Sequence, residues 1–424
     1  MRFTRILKWV EENPERTLVL KLDLLLLVWA FVAGLTKDMD QSATTQATYA
    51  TKNSQTIYAI RFFLGIFEST SWPGLVALIF NWCKLAIFGV SGVAGNMFLG
   101  ILQAALYRNL NGAAGLEGWQ WLFIVSGCIT VFWGLVGFLI IPDSPAITRA
   151  LWLTHAERRL AVARMEKNNT ETSKIINYRR LFRKAKLIAT SPLSYLYMAA
   201  YLQFAWSQRA NSYFLLYLKG LEKADRQPLY STYTVNLIPL GGYAISIVCT
   251  ILLNALSDWK HWRLQVAIAP AVVQILSCGV LSGWPNSTPT ILTFYFLTFS
   301  TAAWGYSLLA WLGEILRKEP EARSLLVGAS VSLVYVGHAT IPLRAWRTSD
   351  SPRYPVGFPL ATAFAGGSIL AMLGMYCYIK RNTYILDQGL EFESSSIADQ
   401  INPKSDSESV RKDKALDSVS EVWV

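Results

Sequence analysis

Long apolar stretches dominate the hydropathy pattern of this chain, and short polar segments separate them. A helix needs about 20 mostly apolar residues to cross the hydrocarbon core of a bilayer. Several stretches approach or reach that length, and the pattern predicts about ten transmembrane helices. Their approximate limits are 22–35, 57–82, 85–106, 119–141, 193–218, 230–256, 264–281, 290–312, 324–343 and 356–378.

The composition agrees with helices that lie in lipid. Hydrophobic residues make up 53% of the 424 residues and charged residues only 16%, whereas soluble domains carry about 25% charged residues. The mean hydropathy is +0.31. We therefore expect an all-α membrane protein that crosses the bilayer several times, and an ordinary soluble domain is excluded.

The charged residues are distributed unequally among the polar segments. The chain holds 39 Lys and Arg against 28 Asp and Glu, a net charge of +11. When the N-terminus is placed in the cytosol, most Lys and Arg fall in cytosolic segments, as the positive-inside rule requires. We expect both termini to be cytosolic. The positive charge then faces anionic lipid headgroups, so nucleic acid is not expected as a partner.

A long basic segment divides the predicted helices into a group of four and a group of six. We predict an N-terminal helical bundle over 1–145, a basic cytosolic linker over 146–190, and a C-terminal six-helix bundle over 191–380. The last part of the chain, 381–424, is rich in Ser, Asp and Lys and poor in apolar residues. Such a composition is typical of a disordered tail.

One positive charge interrupts the apolar stretch at 193–218. An arginine at the centre of a spanning helix costs at least about 2.5–3.5 kcal/mol, so such residues usually face a protein interior or a watery cavity. Trp206 and Tyr213 lie three and four positions from Arg209 and share its helical face, which places aromatic rings beside the cation. The pattern predicts the anion-binding site of a transporter, with all three residues contacting the substrate.

The stretch at 57–82 carries an internal base and an internal acid. Arg61 and Glu68 are seven residues apart, about two helical turns or roughly 10.5 Å along one face. An internal acid and base at that spacing indicate function. The alternatives are an arginine that reaches the membrane interface from a helix end, and a carboxyl that stays neutral or paired for structure only.

The stretch at 230–256 contains Asn236 and the helix-breaking residues Pro239, Gly241 and Gly242. These residues predict a bent or flexible helix, and irregular backbone at membrane depth is tolerated where it borders a cavity. Asn236 is therefore a candidate substrate-binding residue. A hydrogen bond between helices explains it equally well.

Two further features lie near helix ends. Asp258 and Arg263 occupy a very short cytosolic turn, where a carboxylate and a guanidinium would form a gate that stabilises one conformation. An ordinary solvated turn is the alternative. His338 lies alone on an apolar stretch, where packing or a hydrogen bond to another helix is favoured over a proton relay.

Motifs of catalysis and metal binding are absent from the sequence. There is no Walker loop, no HExxH, no nucleophile elbow and no Cys/His cluster, and the five cysteines are scattered through or beside the apolar stretches. We therefore expect a membrane transporter rather than an enzyme. No cofactor and no metal ion are expected, and the protein is expected to be a monomer.

Five sequence blocks together resemble the fungal allantoate permease branch of the major facilitator superfamily, the anion:cation symporters, and most closely its pantothenate-transporter-like members. The blocks are RFFLGIFESTSWPG (61–74), GWQWLFIVSG (118–127), IPDSPAITRALWLTHAERRLAVARME (141–166), ALSDWKHWR (255–263) and AWRTSDSPRYPVGF (345–358).

The resemblance implies two helical bundles that bind a substrate between them near the bilayer midplane and expose it to alternate sides. It implies that Glu68 couples transport to protons and that Arg209 contacts a substrate carboxylate. Arg61 matches an arginine of the same family helix as Glu68 and would help to hold that carboxylate. The turn from Asp258 to Arg263 is similar to the C-terminal copy of the gating motif of the superfamily. The implied function is proton-coupled uptake of a small organic anion, such as pantothenate, at the plasma membrane.

The chain departs from the family pattern in its first half. Four predicted spans precede the central linker where the family has six, so two helices of the N-terminal bundle are expected to be missing. A second hypothesis follows, in which the chain is a transport-inactive family member that acts as a sensor or has no function.

Overall fold

The structure is a computed structural model that describes residues 17, 18, 21, 85–140, 148, 150, 152–167, 178–221, 229–260 and 262–382. The predicted spans at 22–35 and 57–82 lie outside the described residues. So do the candidate site residues Arg61 and Glu68, and all of the predicted tail except its first two residues.

The described part of the chain is all-helical, with no strand among its residues. The two helices of the first half are α1, Leu85–Leu110, and α2, Gly118–Ile140. The linker holds α3, His155–Lys167, and α4, Tyr178–Thr190. The remaining helices are α5, Pro192–Ser207; α6, Phe214–Lys219; α7, Thr232–Lys260; α8, Arg263–Gly283; α9, Thr288–Phe299; α10, Ala303–Ile315; α11, Pro320–Thr340; α12, Pro342–Ala345; and α13, Gly357–Arg381.

Every predicted span from 85–106 onward coincides with helix. Six uninterrupted helical stretches within the described residues are long and apolar enough to cross a membrane: Val90–Leu110, Gln120–Gly137, Tyr233–Ser257, Arg263–Gly283, Pro320–Ala345 and Gly357–Arg381. The predicted spans at 193–218 and 290–312 are helical too, but 3-10 segments interrupt them, Gln208–Tyr213 and Ser300–Ala302. The all-α membrane fold is thus confirmed, and the count of ten spans stays a prediction.

The linker contains regular structure instead of being an irregular loop. Helix α3 begins with a capping box: the Thr154 N–H donates to Glu157 Oε2 over 2.9 Å, and the Glu157 N–H donates to Thr154 Oγ1 over 3.3 Å. Lys21 Nζ reaches Glu157 Oε1 over 3.0 Å. Burial raises the pKa of the Glu157 carboxyl, but the hydrogen bonds from Thr154 and Lys21 outweigh it, so the pKa is lowered.

Helix α4 is amphipathic and packs on the first turns of α11. Its residues Leu187 and Ile188 belong to the core, and Phe182 on the opposite side is 77% exposed. Lys184 is buried and forms an ion pair with Glu319, which precedes α11, with 2.5 Å between Nζ and Oε2. The linker is therefore tied directly to the C-terminal half.

The described core of the C-terminal half has two parts. The first is aliphatic and aromatic, and it joins α4 and α5 to α8, α10, α11 and α13. The second is mainly aromatic and lies around α6, α9 and the segment between α12 and α13. The 3-10 segment with Arg209 follows α5 of the first part and contributes Ala210 to the second.

Helix α7 passes through its predicted breaking point as continuous helix, although Pro239 lies inside it. The side chains of Phe296 and Phe299 pack against Gly241 and Gly242. These glycines therefore serve close packing between helices.

Candidate anion-binding site

The span that carries Arg209 consists of three helical pieces. Helix α5 has 16 residues, the 3-10 segment six, and α6 six. A 3-10 stretch inside a long helix often marks a functional hinge. The interruption therefore marks a candidate site.

Arg209 lies in the second position of the 3-10 segment and is half-buried. Its Nε atom is buried without a hydrogen-bond partner. In the described part of the chain, no hydrogen bond or ion pair involves its guanidinium. The cation is therefore available to an anion from outside the protein.

Polar side chains from two other helices surround the start of this segment. Gln208 Nε2 donates to Thr301 Oγ1 over 2.6 Å. The single hydrogen of the Thr301 hydroxyl has two acceptors in reach, Gln274 Oε1 at 3.1 Å and the Thr298 carbonyl at 2.7 Å. Gln274 Nε2 in turn donates to the Ser207 carbonyl over 3.0 Å. Gln274 and Thr301 are fully buried. The chain of bonds begins and ends at adjacent residues of the interrupted span.

The second interrupted span meets the first at this point. Thr301 lies in the 3-10 segment Ser300–Ala302 between α9 and α10. Asn211 Nδ2 donates to Gln208 Oε1 over 3.1 Å and to the Thr298 carbonyl over 3.4 Å. Asn211 Oδ1 is buried and has no hydrogen-bond partner. The two irregular segments thus share one polar layer.

Tyr213 ends the 3-10 segment and forms part of an aromatic cluster. Its ring stacks on Trp346, with 4.3 Å between centroids and 7° between planes, and it lies 5.0 Å from the Tyr354 ring. Tyr213 lies in the same 3-10 segment as Arg209, and its predicted substrate contact stays a prediction. Trp346 and Tyr354 cover it from the connection between α12 and α13.

Trp206 packs between helices in this structure. Its indole N–H donates to the Val334 carbonyl of α11 over 3.3 Å, and its ring lies 5.3 Å from Phe364 of α13. A Cβ at Gly337 would overlap the indole. These contacts explain the residue without a substrate, and its predicted substrate contact stays a prediction.

Asn236 lies where α7 packs on α1. Its backbone carbonyl faces Gly100, where a Cβ would come within 3.4 Å of the oxygen, and the residue is half-buried. This contact involves the backbone alone, and the role of the Asn236 side chain stays a prediction.

Arg263 makes contacts that the sequence did not indicate. Its Nε and Nη2 donate to Glu314 Oε1 of α10 over 3.0 and 2.7 Å, and its Nη1 donates to Ser257 Oγ of α7 over 2.8 Å. The side chain of Asp258 lies outside the described residues. Arg263 therefore joins three helices of one half of the molecule, and its predicted pairing with Asp258 stays a prediction.

The predicted substrate contacts of Arg209 and Tyr213 stay predictions. The sequence analysis did not single out the residues of the polar layer: Gln208, Asn211, Gln274, Thr298 and Thr301. The amides of Gln208, Asn211 and Gln274 inside apolar stretches were a signal that could have found part of it, because uncharged amides in lipid need partners. No group of three metal-ligating side chains occurs among the residues that the structure describes.

Curated relatives of this chain are fungal transporters. It is 28% identical over 340 residues to MFS transporter PfmaC of Pestalotiopsis fici, and the alignment covers 77% of this chain and 62% of that relative. It is 23% identical over 386 residues to the Vitamin H transporter of Saccharomyces cerevisiae, with 86% and 63% covered. It is 25% identical over 345 residues to pantothenate transporter liz1 of Schizosaccharomyces pombe, with 78% and 64% covered. The chain spans less than two thirds of the length of each of these relatives.

Solved structures with the same fold are transporters as well. The D-xylose–proton symporter matches with a TM-score of 0.50 and 16% identity, over 86% of this chain and 82% of that one. The proton:xylose symporter XylE bound to 6-bromo-6-deoxy-D-glucose matches with a TM-score of 0.54 and 15% identity, over 87% and 81%. At this identity the match concerns the fold alone.

The relatives and structural neighbours are transporters rather than enzymes, and the apolar helices make this a multi-pass membrane protein. Residues 24–342 match the Major Facilitator Superfamily. This match covers more than half of the chain, which therefore belongs to that superfamily.

Proposed function

We propose that this protein is a secondary active transporter that takes up a small organic anion by proton symport with alternating access. The observation that carries the proposal is the Arg209 guanidinium, which is half-buried at a helix interruption and has no hydrogen bond or ion pair in the described part of the chain. A cation in such a position is costly unless it is used.

A carboxylate is the partner that fits this cation best. A guanidinium is planar and always charged, and it binds a carboxylate with two parallel hydrogen bonds that are strong at low dielectric. Asn211 Oδ1, two residues away, is a buried acceptor without a partner. An anion that also carries a hydroxyl or amide donor would satisfy both residues.

We propose pantothenate or a similar vitamin carboxylate as the substrate, and membership of the allantoate permease branch. Pantothenate carries a carboxylate, two hydroxyls and an amide N–H, which matches the donors and acceptors at Arg209 and Asn211. Relatives at 25% and 26% identity are named pantothenate transporters. The proposed substrate contacts are Arg209, Tyr213, Trp206, Asn236 and Arg61.

Glu68 is the proposed proton carrier. Burial raises the pKa of a carboxyl and a nearby arginine lowers it, so the proton affinity would change as the helices rearrange and as the substrate competes for the arginine. Two structural neighbours are described as proton symporters. Asp258 and Arg263 are proposed to gate the cytosolic side.

The organisation proposed from the sequence completes this hypothesis. It places an N-terminal bundle at 1–145, a linker at 146–190, a C-terminal bundle at 191–380 and a tail at 381–424. The protein would act as a monomer in the plasma membrane with both termini in the cytosol.

Uptake of radiolabelled pantothenate in cells that lack their own transporter tests the proposal. Wild-type protein should give uptake that a proton gradient drives, and Arg209→Ala should lose at least about 90% of it, because the substrate carboxylate would lose its charge-assisted hydrogen bonds to the guanidinium. Phe182→Ala on the exposed side of α4 is the control and should retain uptake. Full uptake by Arg209→Ala would overturn the assignment.

Growth on low pantothenate separates this proposal from the second hypothesis of a transport-inactive family member. Growth requires net transport, whereas a sensor or an inactive product does not support it. A protein that reaches the membrane but supports neither growth nor uptake would favour the inactive form.

A further inference from the structure

Side chains of two other helices cap the end of α5 immediately before Arg209. Gln274 Nε2 of α8 donates to the Ser207 carbonyl over 3.0 Å. His338 Nε2 of α11 lies 3.3 Å from the Ala205 carbonyl. A carbonyl oxygen can only accept a hydrogen bond, so Nε2 of this histidine carries the proton. Each cap reaches α5 from a helix far away in sequence.

The two caps lie where one kind of helix gives way to another. The last carbonyls of an α-helix are satisfied by a following 3-10 segment, by side chains or by water. Helix α5 ends in the interior of a span, because the 3-10 segment follows at Gln208. The N–H of Gln208 bonds to the carbonyls of Phe204 and Trp206. The side chains from α8 and α11 bond to the carbonyls of Ser207 and Ala205.

We propose that Gln274 and His338 are positioning residues for anion binding. By capping Ser207 and Ala205 they hold the 3-10 segment in the geometry that presents Arg209 to the substrate. This inference rests on the proposed function of Arg209. Gln274 and His338 would affect anion binding only through the position of that arginine.

Gln274 should affect the segment more than His338 does, because both its amide nitrogen and its amide oxygen form hydrogen bonds there. Its Nε2 holds Ser207, and its Oε1 accepts from Thr301, whose hydroxyl accepts from Gln208. Ser207 and Gln208 directly precede Arg209, so the amide fixes two consecutive residues. Through Thr301 it also ties this interruption to the one in the span of α9 and α10.

His338 contributes one of two hydrogen bonds that join α5 and α11 in opposite directions. The Trp206 indole donates to the Val334 carbonyl of α11 over 3.3 Å, and His338 of α11 bonds to Ala205 of α5. Two bonds in opposite directions fix both the distance and the rotation of α5 against α11. They therefore set the direction in which the next residues leave the helix.

Transport kinetics of the full chain in proteoliposomes test the inference. The labelled probe is whichever of pantothenate, biotin, nicotinate and allantoate the wild-type protein transports. Gln274→Leu should raise KM at least tenfold with a smaller change in Vmax. Gln203→Leu is the matched control, because its amide bonds to the Ala199 carbonyl within α5, and KM should stay within twofold. An unchanged KM in Gln274→Leu would overturn the role of this residue.

A conservative substitution tests His338. His338→Gln keeps an N–H donor of similar reach and should keep KM within about threefold of wild type, whereas His338→Leu should raise KM about tenfold. Equal effects of both substitutions, or no effect of either, would contradict the capping role.

A double-mutant cycle separates positioning from general stability. Arg209→Lys removes the planar donor pair that the caps position, so adding Gln274→Leu should change KM by less than twofold further. Two independent structural defects would multiply instead. Multiplied effects would therefore overturn the inference. Thr301→Val, which keeps the side-chain shape and removes the link to Gln274, gives the same test if Gln274→Leu fails to fold.

The two proposals fail in different ways. If Arg209→Ala retains wild-type KM, the proposed anchor is wrong. If it loses uptake while Gln274→Leu and His338→Leu keep wild-type KM, only the present inference is wrong. If no anion is transported, hydrogen exchange of 208–213 still tests the caps: exchange in Gln274→Leu should be faster than in wild type, and unchanged exchange would overturn them.

Discussion

A single glycine determines how closely α5 and α11 approach each other. The Trp206 indole occupies the space that a Cβ at Gly337 would need. The same indole donates to Val334 one turn earlier in α11. Close packing and the hydrogen bond therefore depend on the same missing side chain.

Gly337→Ala should lower the free energy of unfolding by about 1–3 kcal/mol, because inserting a methyl group into a packed contact forces side chains and backbone to shift. Thermal unfolding in detergent micelles measures the change. Gly328→Ala is the control on the same helix, since a Cβ there has no neighbour within 4 Å. Equal stability of the two variants would contradict the close contact.

The residues of the site differ in how far the sequence predicts them. Arg209 is visible because a charge in an apolar stretch is costly and therefore conspicuous. Gln274 and Thr301 are uncharged, and whether their side chains meet depends on how α8 and the second 3-10 segment pack. That packing depends on the side chains of several helices together, which hydropathy along one chain does not record.

The sequence also predicts some properties of the helices and not others. Apolar length predicts the spans from 85–106 onward, because lipid imposes it on any helix. It does not predict where a helix is interrupted. Pro239, Gly241 and Gly242 lie in the continuous helix α7, whereas Gln208–Tyr213 contains neither proline nor glycine and is a 3-10 segment. The partners of the backbone decide this, and they come from other helices.

Helix α3 should respond to pH through its capping box. The pKa of Glu157 is lowered from 4.5, so its stabilising effect is present above the unfolded-state pKa and is lost as the pH falls through the folded-state pKa. Hydrogen exchange of 155–167, compared between pH 7 and pH 4 after correction for the intrinsic rate, should show reduced protection at pH 4.

Glu157→Gln provides the comparison for this prediction. It removes the titrating group, so protection of 155–167 should be lower than in wild type at pH 7 and nearly independent of pH. Glu117→Gln, outside the linker, should behave as wild type does. A wild-type pH response in Glu157→Gln would refute the capping box as its origin.

Among the described residues, two ion pairs that join neighbouring helices of the C-terminal half differ in burial. Lys184 and Glu319 join the linker to α11 with side chains only 3% and 8% exposed. Arg263 and Glu314 join α8 to α10 with side chains 16% and 38% exposed. Breaking a buried pair costs about 3–5 kcal/mol, whereas an exposed pair contributes about 0–1 kcal/mol.

Glu319→Gln should therefore lower the free energy of unfolding by about 3 kcal/mol, and Glu314→Gln by less than about 1 kcal/mol. Thermal unfolding of the two purified variants under the same conditions measures the difference. Equal losses in the two single variants would show that the linker does not depend on its buried pair.

The stack of Trp346 on Tyr213 makes the fluorescence of this tryptophan sensitive to the 3-10 segment. The indole lies on the last residue of the 3-10 segment that begins at Gln208 and carries Arg209. Any rearrangement of that segment when an anion arrives would change the polarity around the indole and its contact with the phenol ring. Intrinsic fluorescence, compared with a Trp346→Phe variant, can therefore follow occupancy without a label and before any transport has taken place.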